Sequence, residues 1–200
     1  MNITAIKQQE RRKGRYSIYV DDKYAFSLSA DALLEQKLVN GQELTEEQVK
    51  AYKKLSADDK AYGLALSYVA RRMRSEWELS DYFRRKGYAD ELTQQLLAKL
   101  ERLGMVNDQK FAEAWVRNRR LLKAISKRRL TQELRQKHVA EDVIDQALAE
   151  DEADERTVLR ELVTRKRRQT RYQDDLKLMQ YLARQGFSYD DIKAVLAKED

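Results

Sequence analysis

The chain lacks cysteine and proline altogether, and its 200 residues include one histidine and six glycines. Without thiols it has no disulfides and no thiolate chemistry, which fits a reducing compartment. The absence of proline argues against a large sheet protein and for helices, whose interiors exclude it. One histidine, with no carboxylate–histidine grouping, speaks against a transition-metal site. Neither GxxxxGK[ST] nor GxGxxG occurs, so no phosphate-cradling loop is expected. No apolar run approaches the roughly 20 residues needed to span a bilayer. Met1–Glu10 has no apolar segment of the kind that marks a secretory signal. These absences predict a cytoplasmic, mostly α protein with no catalytic residue, metal, cofactor or membrane partner.

What is present is charge. Charged residues make up 37% of the chain, against 42% apolar, and the net charge is +6. The usual charged share is about a quarter, so large solvated faces are expected. The excess is clustered: Arg117, Arg119, Arg120, Lys123, Lys127, Arg128, Arg129, Arg135 and Lys137 stand against Glu133 alone. Further clusters are Arg165–Arg168 and Arg71, Arg72 and Arg74, while Glu150–Glu155 is acidic. Such clusters are read either as a polyanion-binding surface or as ordinary solvated helix faces.

One short phrase returns three times, opening at Leu79, Leu130 and Leu178, which lie 51 and then 48 residues apart. Each copy has an apolar residue four positions on, a turn residue at plus eight (Gly87, His138, Gly186) and an apolar residue at plus nine. A period near 50 suits tandem three-helix repeats, which stack into an elongated array whose use is its surface. The expected divisions are 1–55, 56–106, 107–150 and 151–200.

The first division reads differently. Ile3–Ile6, Tyr16–Val20 and Tyr24–Leu28 are β-branched and aromatic, with turn-like Arg11–Gly14 and Asp21–Lys23 between them, and predict a three-stranded antiparallel meander. Short helices are expected over Ala30–Leu38 and after a Thr45 cap. Ser56-x-x-Asp59 is read as the cap of a new helix running to about Arg74, and Ser75-x-x-Glu78 as the next. Helices follow over Asp90–Leu103, Gln109–Lys123, a Ser126-capped stretch, Glu141–Ala149, and three more from Val158, Leu176 and Ser188. Leu122, Leu176, Met179 and Leu182 are expected to face inward. The paired aspartates (21–22, 58–59, 174–175, 190–191) are expected at turns or helix starts. Trp115, four after Phe111, is assigned to the core, and His138 to a turn.

Ala61–Leu79, with Arg71-Arg72-Met73-Arg74-Ser75-Glu76-Trp77-Glu78-Leu79, resembles the opening of the RecX family, regulators of the recombinase RecA. Asn107–Arg119 is similar to the family's second signature, and the Lys86-Gly87-Tyr88 step returns loosely at Gln185-Gly186-Phe187. His138 departs from the family's glycine. The resemblance implies a monomeric regulator that binds RecA–DNA filaments, and single-stranded or duplex DNA directly or through them. It would modulate, usually inhibit, recombination. The candidate contacts are Arg71, Arg72, Arg74, Trp77, Arg117, Arg119, Arg120, Lys127, Arg128 and Arg129. Each has a plainer alternative: dipole compensation for Arg71–Arg74, packing on a neighbouring helix for Trp77. Lys127–Arg129 opens a helix, where cations oppose the macrodipole, so helix stability does not explain them. Two rival readings stand: a helix-turn-helix DNA-binding protein using Ser75–Gly87, and a Mg²⁺-dependent nuclease using carboxylates.

Overall fold

A computed structural model describes residues 1–197. The described residues hold one three-stranded sheet and ten α-helices, in two compact units: Met1–Arg72 with Ala89–Leu96, and Met73–Tyr88 with the chain from Leu97 onward.

In the first unit β1 (Ile3–Gln9), β2 (Arg12–Val20) and β3 (Lys23–Ser29) form an antiparallel meander in that order. Asp21 and Asp22, both at positive φ (47° and 63°), make the tight β2–β3 turn that short acidic residues tolerate. Alternation sends Ile18, Val20, Phe26 and Leu28 to one buried face. The strands are longer than the apolar runs that announced them: Arg12–Gly14 lies in β2, and only Glu10 and Arg11 turn.

Helices α1 (Ala30–Glu35) and α2 (Glu46–Val69) cover that face. A Thr45–Gln48 capping box starts α2. The expected second start at Ser56 does not exist, because α2 runs unbroken through it. Ser56 and Asp59 tie the helix to the sheet instead. Ser56 Oγ donates to Ser27 O (2.6 Å), and Asp59 accepts from Ser29 N (2.8 Å) and Arg15 Nη1 (2.8 Å). α2 also ends early, at Val69 rather than near Arg74.

The second unit holds α3 (Glu76–Arg85), the later half of α4 (Asp90–Arg102), α5 (Asp108–Leu122), α6 (Lys127–Arg135), α7 (Glu141–Ala149), α8 (Glu155–Arg167), α9 (Asp175–Arg184) and α10 (Tyr189–Leu196). A 3-10 turn, Thr170–Tyr172, joins α8 to α9. Leu130, Leu134 and Ile144 centre the α5–α7 core, and Leu159, Leu178 and Leu182 the α8–α10 core. Leu122 and Leu176, expected inward, are exposed; Leu178 fills the place assigned to Leu176.

The recurring phrase is a helix ending. After α3, α6 and α9 the residue at plus eight takes positive φ: 75° at Gly87, 54° at His138 and 93° at Gly186. The amide of the next residue then reaches back to Phe83 O (3.2 Å), Leu134 O (3.2 Å) and Leu182 O (3.4 Å). This is the Schellman ending, and its apolar closing residue explains position plus nine.

Candidate functional site

Successive helix triplets in the second unit are fastened by one joint used twice. Ser75 caps α3 by accepting from Glu78 N (3.2 Å), and its hydroxyl donates to Lys137 O (3.1 Å) in the turn after α6. Ser126 caps α6 by accepting from Arg129 N (3.1 Å) and donates to Gln185 O (3.1 Å) in the turn after α9. Both serines are buried. The first helical amide repeats the pattern: Glu76 N donates to Asp108 Oδ1 (2.8 Å), and Lys127 N to Glu155 Oε1 (2.9 Å). Each cap thus satisfies its own helix and the neighbouring triplet, leaving no buried hydroxyl proton without an acceptor.

Side chains complete each joint differently. At the first, Trp77 stacks on His138 with ring centroids 4.2 Å apart, and Glu78 takes Lys137 Nζ at 2.7 Å. Trp77 therefore packs on a neighbouring element. At the second, Gly186 lies against Ser126 and Arg129.

Asp108 is held above the ordinary carboxylate value of 3.8, chiefly by burial. Its bond from the Glu76 amide works the other way, and the charges of Glu76 and Glu78 push it further up. A raised carboxyl binds its proton more tightly in the folded chain than in the unfolded one. Its contribution is fully present below the unfolded pKa and is lost as pH rises through the folded one. Asp108→Asn keeps an oxygen for the Glu76 amide and removes the charge. The variant is expected to be more stable than wild type at pH 7, with the gap closing by pH 3. Urea unfolding at both values checks this; a variant less stable at pH 7 refutes it.

The candidate cations divide into those engaged inside the fold and those left outside. Arg119 Nε meets Glu133 Oε2 at 2.7 Å, with its guanidinium 4.7 Å from the Trp115 ring centroid. Trp115 Nε1 donates to the same oxygen at 3.0 Å. Arg120 holds Asp151 Oδ2 through Nε (2.9 Å) and Nη2 (2.6 Å) and also reaches Ile125 O. Lys127 Nζ lies 3.3 Å from both Leu148 O and Asp151 O. These three work within the protein.

Arg71, Arg117 and Arg128 are exposed and make no ion pair among the described residues. Arg72 is exposed too, and Arg74 is half-buried just before the Ser75 cap. These three arginines follow the end of α2 at Val69 and its C-cap Ala70. Arg129 bonds Gln132 Oε1 (3.0 Å) and lies 3.8 Å from Glu133. The cation run therefore does not form one open patch.

A further cationic group lies outside the candidate contacts. Lys166 Nζ lies 5.2 Å and 4.6 Å from the ring centroids of Tyr172 and Tyr181, and Arg171 covers Tyr172 at 5.8 Å. Arg165 and Arg168 are exposed beside them. Cations interleaved with aromatics were the available signal. Among the described residues no three His, Cys, Asp or Glu side chains converge as a cation site, and no helix is long and apolar enough to cross a membrane.

These elements define a tandem three-helix protein with an N-terminal sheet module. Family models match it in order along the chain: the regulatory protein RecX N-terminal domain over residues 1–45, then the first (61–100), second (107–148) and third (154–196) RecX three-helix domains. Regulatory protein RecX of Lactobacillus johnsonii is 39% identical over 116 residues, 58% of this chain and 42% of that protein. That of Listeria innocua is 33% identical over 117 residues, 58% of this chain and 44% of that protein. The matched segment thus spans under half the length of these relatives. A crystal structure of regulatory protein RecX superposes with a TM-score of 0.75 at 29% identity, covering 100% of this chain and 99% of that one. RecX from Lactobacillus salivarius shares the fold, with a TM-score of 0.61 at 22% identity over 70% of this chain and 95% of that one. The chain belongs to the RecX family of regulatory proteins.

Proposed function

We propose that this protein binds RecA–DNA filaments and restrains recombinase activity, acting in recombination and DNA repair in the cytoplasm. The observation that carries the reading is the ordered match to all four RecX domain models. The net charge of +6 and the exposed Arg71 and Arg128 support it, since a filament offers phosphate and acidic protein surface. Binding is stoichiometric: occupancy of the assembled form shifts its equilibrium, and no bond is made or broken. The modules 56–106, 107–150 and 151–200 supply successive contacts, with Arg72, Arg74 and Arg129 beside the exposed arginines. Arg119, Arg120, Lys127 and Trp77 serve by holding that surface in shape.

Direct sequence readout by α3 is less well supported. Its surface carries Glu76 and Asp81, and Asp81 pairs with both Arg84 and Arg85 at 2.5 Å.

The test is RecA's single-stranded-DNA-dependent ATPase, with the protein titrated below the RecA concentration. A fall in turnover with shortened filaments is expected; unchanged turnover and length at every ratio overturn the proposal. Arg71→Glu with Arg128→Glu is expected to weaken filament binding at least tenfold without moving the melting temperature. The salt slope is expected to become shallower by about 1 to 2. Equal binding removes these two arginines from the interface.

A further inference from the structure

The α5–α7 triplet carries a concave surface of opposite sign to the protein as a whole. It is a groove of about 410 Å³ formed by α5, α7 and the segment 150–153. Val116 and Ala147, both nearly fully buried, make its floor, and Leu121 its wall. Leu121 is 78% exposed, and Leu122 beside it 74%. Two adjacent leucines in water at a helix end, next to an apolar hollow, mark a surface awaiting a partner.

The rim decides which partner. Glu113, Glu150 and Glu152 stand around the groove. Asp151 and Arg120, also at its edge, cancel one another in their ion pair. Arg117 is the groove's one cation without an ion pair among the described residues. Three carboxylates against one guanidinium repel a phosphate backbone and attract lysine and arginine.

We infer that this groove docks a cationic, leucine-bearing segment of a protein partner. The partner's apolar side chain lies on Val116, Leu121 and Ala147, while its cations meet Glu113, Glu150 and Glu152. An apolar centre with a charged rim is the usual anatomy of a protein interface. The inference is independent of the recombinase reading and stands or falls without it.

The experiment is amide chemical-shift mapping of the full, isotope-labelled chain. The probes are a synthetic peptide of alternating lysine and leucine, a glutamate–leucine peptide of the same length, and a single-stranded oligonucleotide. Only the lysine peptide is expected to move the amides of Val116, Leu121 and Ala147. Leu121→Ser with Leu122→Ser, and separately Glu150→Lys with Glu152→Lys, are each expected to lower its affinity at least tenfold while the remaining spectrum stays in place. Unmoved groove amides, variants that bind as wild type, or equal binding there of the glutamate peptide or the oligonucleotide each overturn the inference.

Discussion

Gly186→Ala is expected to destabilise the protein by about 3 kcal/mol, against about 1 kcal/mol for Gly87→Ala. Both glycines end a helix at positive φ, 93° and 75°. A side chain there costs roughly 1–2 kcal/mol in either place. The surroundings separate them. A methyl group at Gly87 meets nothing within 4 Å. At Gly186 it would lie 2.3 Å from Ser126 Oγ, 3.0 Å from Arg129 Cβ and 3.1 Å from Arg129 N. Ser126 is buried, caps α6 and holds Gln185 O, so turning its hydroxyl away forfeits a cap worth about 1 kcal/mol and the bond across the joint. In a chain of this size each kcal/mol moves the melting temperature by about 2–4 °C. Thermal unfolding of the two variants should differ accordingly. In a Ser126→Ala background the Gly186→Ala loss is expected to shrink toward that of Gly87→Ala. Equal losses for the two glycines would refute the close approach.

Arg120→Ala is expected to cost about 3–5 kcal/mol, the usual result of stripping one partner from a buried ion pair. The side chains of Arg120 and Asp151 are only 12% and 7% exposed. Alanine at 120 strands the Asp151 carboxylate and leaves Ile125 O without the guanidinium. Removing both charges, as Arg120→Ala with Asp151→Ala, is expected to recover a large part of the loss, because the stranded charge is then gone. Arg128→Glu, on an exposed residue, is expected to move stability by no more than about 0.5 kcal/mol. Urea unfolding of the four proteins gives both comparisons, and a double variant as unstable as Arg120→Ala would refute the account.

This contrast shows where the sequence stops being readable. The helix ends were legible, since Ser75, Ser126 and Ser188 cap as expected and Gly87 and Gly186 terminate. Those signals act within four residues. Ser56 and Asp59 carry the same cap chemistry yet serve a sheet about 30 residues away, so a helix start was read inside α2. The cation run was plain, but its division was not. Glu133 lies 14 residues from Arg119, and Asp151 31 from Arg120. Periodicity likewise failed for Leu122 and Leu176, which sit in the last and first turns of their helices, where nothing local says which side meets a neighbour.

The cap serines reach main-chain oxygens, which every amino acid possesses, so the grip itself does not depend on the side chain at the next station: after α6 that station holds an imidazole, while after α9 Ser126 and Arg129 leave room only for glycine. The third helix of the series, α9, is capped by Asp174, whose carboxylate accepts from Lys177 N and has no hydroxyl proton to offer. The hydroxyl-to-carbonyl joint made by Ser75 and Ser126 is therefore one that Asp174 cannot make.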